Sequence, residues 1–197
     1  MSLTLLLVAG AMGYLLGSVP FGLLLTRLFG LGDIRQIGSG NIGATNVLRT
    51  GRKGIAAATL LLDAAKGTLA VLVARSLGGD SAAAVAGVAA FLGHVAPVWL
   101  NFRGGKGVAT FMGVLVGLCW PAGLTFAAAW LAMAAAFRIS SLSALTAAVL
   151  AGAVAAILAP APVAMAVAVM AGAIFFTHRA NIERLWRGTE PRIRLSA

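Results

Sequence analysis

The thirty residues from Val108 to Phe137 carry no charged side chain, and they belong to a series of apolar runs that leaves the chain few ways to fold. The other runs cover residues 3–29, 54–75, 81–100, 141–158 and 163–177. A helix needs about 20 apolar residues to cross a bilayer, since each residue advances about 1.5 Å through a hydrocarbon layer of about 30 Å. A mean hydropathy of +0.99, with only 10% charged residues, suits that solvent rather than water.

As one helix, the run from 108 to 137 would reach about 45 Å, too long for an ordinary span. Trp120-Pro121 interrupts it, and proline favours the opening of a new helix over the interior of an old one. Two passes there give seven transmembrane helices. The expected fold is an all-α, polytopic integral membrane protein in a single domain over residues 1–197, with each half of 108–137 short for a full span. Charge agrees with this count. With seven spans, the polar connections at 30–53, 101–107, 138–140 and 178–197 share one side. That side then holds Arg27, Arg35, Arg49, Arg52, Lys53, Arg103, Lys106, Arg138, Arg179, Arg184, Arg187, Arg192 and Arg194, or 13 of the 15 cations. A single pass would throw Arg138 and the final arginines across the membrane, against the tendency of Lys and Arg to stay cytoplasmic. The N-terminus is therefore expected outside and the C-terminus in the cytoplasm.

Residues 3–12 have the look of a secretory leader, but no Lys or Arg precedes them and apolar sequence continues to Phe29. They read as an uncleaved first span. The net charge of +10 follows from topology and points to no nucleic acid, because a soluble nucleic-acid binder needs polar surface. The one cysteine, Cys119, excludes an internal disulfide and a cysteine-based metal cluster. No carboxylate or histidine cluster has the look of a metal site, and no cofactor is implied.

Within the second span, Asp63 and Lys66 are three apart on one helix face. They read either as a mutual ion pair that makes both charges tolerable in the membrane or as part of a site near the cytoplasmic end. Gly13 and Gly17 read as helix-packing positions, and His94 as a packing or supporting residue.

Three basic stretches lie at the ends of the apolar runs. The first runs from Ser39 to Arg49, with glycines at 38, 40 and 43 that let backbone amides approach an anion. Ser39 or Asn41 is expected to cap a short helix running to Arg49. Thr45, Asn46 and Arg49 then share a face. In the second stretch, Gly104, Gly105 and Gly107 surround Lys106, a phosphate-suited turn whose spacing is not that of a nucleotide-binding P-loop. In the third, His178 and Asn181 share a face if the last helix continues, while Glu183, Arg184 and Arg187 read as a solvated, salt-bridged face. Of Ser140, Ser141 and Ser143 after Arg138, one reads as a cap, and Ser141 or Ser143 is placed to reach a phosphate. Each stretch has an ordinary reading as a turn or cap. Together, on one side of the membrane, they point to an anion site.

These residues carry a resemblance. The stretches Ser39 to Arg49, His94 to Thr110 and His178 to Glu190 are similar, in order and spacing, to the three motifs of the PlsY family of bacterial acyl-phosphate-dependent glycerol-3-phosphate acyltransferases. The resemblance implies transfer of a fatty acyl group from acyl-phosphate to the 1-hydroxyl of sn-glycerol 3-phosphate, giving lysophosphatidic acid and inorganic phosphate. It also implies seven membrane helices, with the site on the cytoplasmic face of the bacterial inner membrane. By match to the motifs, His178, Asn181, Lys106 and Arg49 are expected to carry catalysis. Ser39, Asn41, Thr45, Asn46, Gly104, Gly105, Gly107 and Ser141 are expected to hold substrate. The partners are the two substrates and membrane lipid, with no obligate protein partner. The His-x4-Asp pair of CoA-linked acyltransferases is absent, because His94 leads to Trp99 and His178 to Glu183. A carrier for a phosphorylated metabolite is the alternative. It would share the phosphate site and Asp63/Lys66, but the chain has no apparent inverted repeat or polar track to the outer side.

Overall fold

The computed structural model describes residues 2–193, and every regular element among them is helical. Arg194, counted above with the loop-side cations, lies outside the described residues. The elements are α1 (Leu3–Gly17), α2 (Phe21–Leu28), α3 (Ala44–Leu48), α4 (Lys53–Val95), α5 (Val108–Leu118), α6 (Trp120–Phe137), α7 (Ser140–Leu158), α8 (Ala161–Thr177) and α9 (Arg179–Trp186).

The first apolar run, expected as one helix from 3 to 29, breaks between α1 and α2. Pro20 has no N–H to donate and its ring obstructs a continuing helix, so the chain restarts at Phe21. α4 is 43 residues long along the chain but folds back on itself at Gly78 and Gly79, the latter at φ 63°. A side chain there would strain the backbone. Its two arms run antiparallel, with Val71 beside Gly87 and Lys66 beside His94. The second arm ends at Val95, five residues short of the expected 100, because Pro97 disfavours helical geometry at Ala96.

Small residues set the close contacts. Gly13 and Gly17 of α1 lie against the backbone of Ala86 and Ala90 on the second arm, where a Cβ would collide. These are the packing positions expected from the sequence. On the other arm, Gly67 and Gly113 meet the Thr110 and Ala64 carbonyls, and the series Thr68–Gly113, Val71–Gly117 and Arg75–Leu118 shows that α5 runs in the same direction as residues 64–75. The break before Trp120 falls as predicted, with Pro121 in the first turn of α6. α6 has 18 residues, so of the two halves only α5, with 11, is short. Phe91, Phe111 and Phe126 join the second arm, α5 and α6 through edge-to-face contacts with centroids 6.4 and 5.5 Å apart. Each such pair adds roughly 0.5–1.5 kcal/mol to simple burial.

Four stretches are long and apolar enough to cross a membrane: Leu3–Leu28, Lys53–Leu100, Trp120–Phe137 and Ser140–Leu158. Ala161–Thr177 with Arg179–Trp186 makes a fifth, bent by 59°. Because α4 doubles back and α5 to α8 alternate in direction, the connections around residues 29–52, 96–107, 138–139 and 178–193 meet at one end of the bundle. At the other end, Arg75 bridges the glycine turn to Asp80 at 3.0 Å and donates to the carbonyls of Gly117 and Leu118. Those are the open carbonyls at the end of α5, which apolar surroundings would leave unsatisfied.

Candidate active site

Asn46 organises the first loop. Its NH2 group donates to the carbonyls of Ile34 (2.7 Å) and Ile37 (3.2 Å). Its oxygen accepts from the Ser39 amide (3.3 Å) and the Arg49 guanidinium (3.1 Å). All four hydrogen-bonding positions of the carboxamide are filled. Asn46, expected to bind substrate, instead shapes the loop. Gly38, at φ 55°, lies directly against Asn46 and Arg49, where no side chain fits. Asn41 turns back on its own loop and accepts from the Gly43 N–H at 2.8 Å. The helix cap is Gly43 rather than the expected Ser39 or Asn41, and the helix has only five residues. Thr45 sits 3.3 Å from the Ser140 hydroxyl and ties this loop to the start of α7. Ser39 faces the central cavity.

The second loop corrects the expected phosphate cradle. The Gly104 and Gly105 amides donate to the carbonyls of Val95 and His94, both at 3.0 Å, so they are not free for an anion. A Cβ on Gly104 would strike the His94 carbonyl, one on Gly105 the His94 ring, and one on Gly107 the Phe91 ring. Glycine is needed here because the loop lies flat on the end of the second arm. Lys106 alone projects away, donating to Asn181 Oδ1 at 2.6 Å. The Thr177 hydroxyl donates to the Lys106 carbonyl at 3.0 Å and fixes the loop to α8.

The last helix does not continue straight. It bends at His178, which ends α8 and opens α9. The His178 side chain is buried, with Nδ1 donating to the Ile174 carbonyl at 2.8 Å. Burial pushes its pKa down to about 4, and the charge of Lys106 adds to this against the Ile174 carbonyl and Glu190. The imidazole is therefore neutral near pH 7. Its folded pKa lies below the usual value of about 6.5, so any stability it confers is complete above that value and is lost as pH falls toward 4. In a profile of kcat/KM against pH, the change between 6 and 7 is expected to come from the second ionisation of a phosphate substrate, at about pH 6, and to be the same in His178→Gln. A limb there that vanished in His178→Gln would make the histidine a titrating base.

Glu190 ties the third stretch together. It accepts from Ser141 Oγ (2.6 Å), Asn181 Nδ2 (2.5 Å) and Arg184 Nε (2.7 Å). Burial alone would raise its pKa, but these three bonds and the Arg184 charge hold the carboxyl below its usual range. Ser141 is thus committed to Glu190, Ser143 donates to the Ile139 carbonyl at 2.8 Å, and no serine caps α7. Burial also pushes the Lys106 ammonium down, with Arg184 and Arg49 adding to the effect and Glu190 opposing it.

These pieces enclose a cavity of about 430 Å³ lined by Gly38, Ser39, Lys106, Thr177, Ala180, Asn181 and Arg184. That volume is in the usual range for small-molecule sites, roughly 300–1,000 Å³. Ser39, Lys106 and Asn181 meet there as expected, whereas His178 is not part of its wall. Arg184 was expected on a solvated face and instead faces the cavity; only Glu183 and Arg187 form the exposed pair, at 2.6 Å. The available signal was helical spacing, since Asn181 and Arg184 are three apart. Beside the cavity runs a second, apolar groove of about 550 Å³ between α7, α8 and α9, lined by Leu142, Leu145, Thr146, Val149, Phe175, Ile182, Leu185 and Trp186. α9 serves both spaces, with Asn181 and Arg184 lining the cavity and Ile182 and Leu185 lining the groove.

Known proteins share this fold. The glycerol-3-phosphate acyltransferase family model matches residues 7–188. The glycerol-3-phosphate acyltransferase of Mesorhizobium japonicum is 61% identical over 188 residues, covering 95% of this chain and 96% of its own. That of Caulobacter vibrioides is 63% identical over 184 residues, covering 92% and 84%. Two crystal structures of PlsY, an integral membrane glycerol 3-phosphate acyltransferase, superpose at 36% identity. The glycerol 3-phosphate form has a TM-score of 0.91 over 96% of both chains. The lysophosphatidic acid form has a TM-score of 0.89 over 95% of this chain and 94% of that one. With a family match across nearly its whole length and the same helical architecture, this chain belongs to the glycerol-3-phosphate acyltransferases of the PlsY type, integral membrane proteins.

Proposed function

We propose that the protein transfers a fatty acyl group from acyl-phosphate to the 1-hydroxyl of sn-glycerol 3-phosphate, releasing lysophosphatidic acid and inorganic phosphate. The observation that carries this reading is that one short helix, α9, lines a cationic cavity with Asn181 and Arg184 and an apolar groove with Ile182 and Leu185. A phosphorylated polar acceptor suits the first space and a fatty chain the second. The related PlsY structures with glycerol 3-phosphate and with lysophosphatidic acid support the same pair of ligands here.

Acyl-phosphate is a mixed anhydride with a good leaving group, so attack needs positioning more than a strong base. Lys106 and Arg184 hold the substrate phosphates, with Ser39 as a further donor and Arg49 bracing the first loop. The acceptor's C1 oxygen bonds to the acyl carbon, and the carbon–oxygen bond to phosphate breaks. The hydroxyl proton passes to a phosphate oxygen, and hydrogen phosphate leaves. Cations held in place before reaction steady the negative charge that builds on the carbonyl oxygen. Neutral His178 keeps the α8–α9 bend and thereby the placement of Asn181, which orients Lys106.

The same reading puts seven passes in the bacterial inner membrane, with the N-terminus outside and the site on the cytoplasmic face. It is supported by the gathering of Arg49, Arg103, Lys106, Arg138 and Arg184 at the loop end of the bundle.

Purified protein in lipid nanodiscs, given glycerol 3-phosphate and either palmitoyl-phosphate or palmitoyl-CoA without added metal, tests the donor. Lysophosphatidic acid and phosphate are expected from palmitoyl-phosphate alone. Product from the CoA ester would overturn the donor, and bound glycerol 3-phosphate without product from either would favour a carrier.

A further inference from the structure

Three ionisable side chains are buried together inside the bundle, outside the cavity wall: Asp63, Lys66 and His94, each 5% exposed or less. The Lys66 ammonium is 2.7 Å from Asp63 Oδ1, 2.7 Å from the Val19 carbonyl and 3.0 Å from His94 Nδ1. The ammonium thus sits against three separate parts of the fold: an ion-pair contact with the first arm of α4, and hydrogen bonds to the break between α1 and α2 and to the second arm. A mutual ion pair would need only Asp63. Burying ions in apolar surroundings is costly, and apolar side chains would hold the helices together as well. What apolar packing does not supply is a fixed direction for a particular ring.

That ring is His94. Its Nε2 edge faces Gly105, so closely that a Cβ there would overlap it. The backbone beside it is fixed too, because the carbonyls of His94 and Val95 accept the amides of Gly105 and Gly104. The Tyr14 hydroxyl donates to the Ala96 carbonyl at 2.8 Å, pinning the start of the same loop. Lys106 is the next residue along.

We propose that Lys66, held by Asp63 and the Val19 carbonyl, locks the His94 ring under Gly105 and so positions the Gly104–Gly107 loop that presents Lys106. The three are positioning residues that touch no substrate. The inference rests on the reading of Lys106 as a phosphate ligand.

The test uses His94→Leu and His94→Gln in nanodiscs. Hydrogen exchange of the peptide spanning residues 101–107 is measured alongside calorimetric affinity for glycerol 3-phosphate and kcat at saturation. His94→Leu leaves Asp63 and Lys66 paired but cannot accept from Lys66. It is expected to speed exchange of the Gly104 and Gly105 amides and to weaken affinity by about tenfold, with kcat within about threefold. His94→Gln restores an acceptor and is expected to recover most of both. In a Lys106→Ala background, His94→Leu is expected to change affinity by less than about twofold, because the two act as one unit. If His94→Leu does not fold, the charge-free pair Asp63→Asn/Lys66→Met should give the same losses. Unchanged exchange, or effects that add to those of Lys106→Ala, would overturn the proposal. Faster exchange with unchanged affinity would instead overturn the role of Lys106 and the positioning claim with it.

Discussion

Replacing Lys106 by alanine is expected to lower kcat/KM for glycerol 3-phosphate by about a thousandfold, the upper end of what losing one preorganised donor costs. The reason is that the neighbouring cations among the described residues are tied elsewhere and cannot move into its place. Arg184 has its Nε committed to Glu190, and Arg49 donates to Asn46 behind Gly38. Loss of Lys106 also strands Asn181 Oδ1, its partner at 2.6 Å. The arginine variant should recover only part of the rate, because a planar guanidinium does not replace a compact ammonium between Asn181 and the α8 end. Since burial depresses the Lys106 pKa, the charged form that binds phosphate is complete at low pH and is lost as pH rises through that lowered value. Wild-type affinity should therefore weaken on the alkaline side at a lower pH than an exposed lysine would allow. A loss below tenfold in Lys106→Ala, measured by lysophosphatidic acid formation at subsaturating acceptor, would remove Lys106 from the site.

Glu190→Ala is expected to cost about 2–4 kcal/mol of stability, because three donors lose their acceptor and the positive charges of Lys106 and Arg184 lose a close carboxylate. In a chain of this size that corresponds to a fall in thermal midpoint of about 4–16 °C. Activity should fall with it, since Asn181 no longer has a fixed orientation from which to hold Lys106. Glu190→Gln keeps the shape and an acceptor and should lie between alanine and wild type. The folded pKa is lowered, so the carboxylate's contribution is present above its unfolded value of about 4.3 and is lost as pH falls through the lower folded value. The alanine variant should lack that acid-side loss. A midpoint within about 1 °C of wild type would show that the network is dispensable.

Local pattern revealed the elements and the end at which they meet. Pro121 marked the break before α6 because a missing N–H is a property of one residue. The spacing of Asp63 and Lys66 left open an ion pair or a part in the site, and the structure has them paired at 2.7 Å. The glycines around Lys106 were harder, since the same residues admit close approach by an anion or by another helix, and only the packed second arm decides between them. Ser141 and Glu190 meet across 49 residues, a contact set by how α7 and the segment after α9 pack. Asn46 is similar: its side-chain chemistry announced a polar role, but the four atoms that saturate it come from a loop with no regular pattern. His178 has the chemistry of a base in isolation, but burial at the bend lowers its pKa to about 4 and makes it a weak proton acceptor, and its Nδ1 is committed to the Ile174 carbonyl.

The shortness of α5 bears on how the protein is made. Eleven residues rise about 16 Å, roughly half of a 30 Å hydrocarbon layer. A nascent chain halted at Leu118 would present the insertion machinery with a segment too short to be retained by its own hydrophobicity. Its partners, Ala64, Gly67 and Val71 and the Arg75 guanidinium over its last carbonyls, are all synthesised earlier. α6 follows at once and lies antiparallel against it through Phe111 and Phe126. Biogenesis thus has a built-in order: the α4 hairpin is laid down first, and α5 enters together with α6 as a second hairpin seated on a surface already waiting in the bilayer.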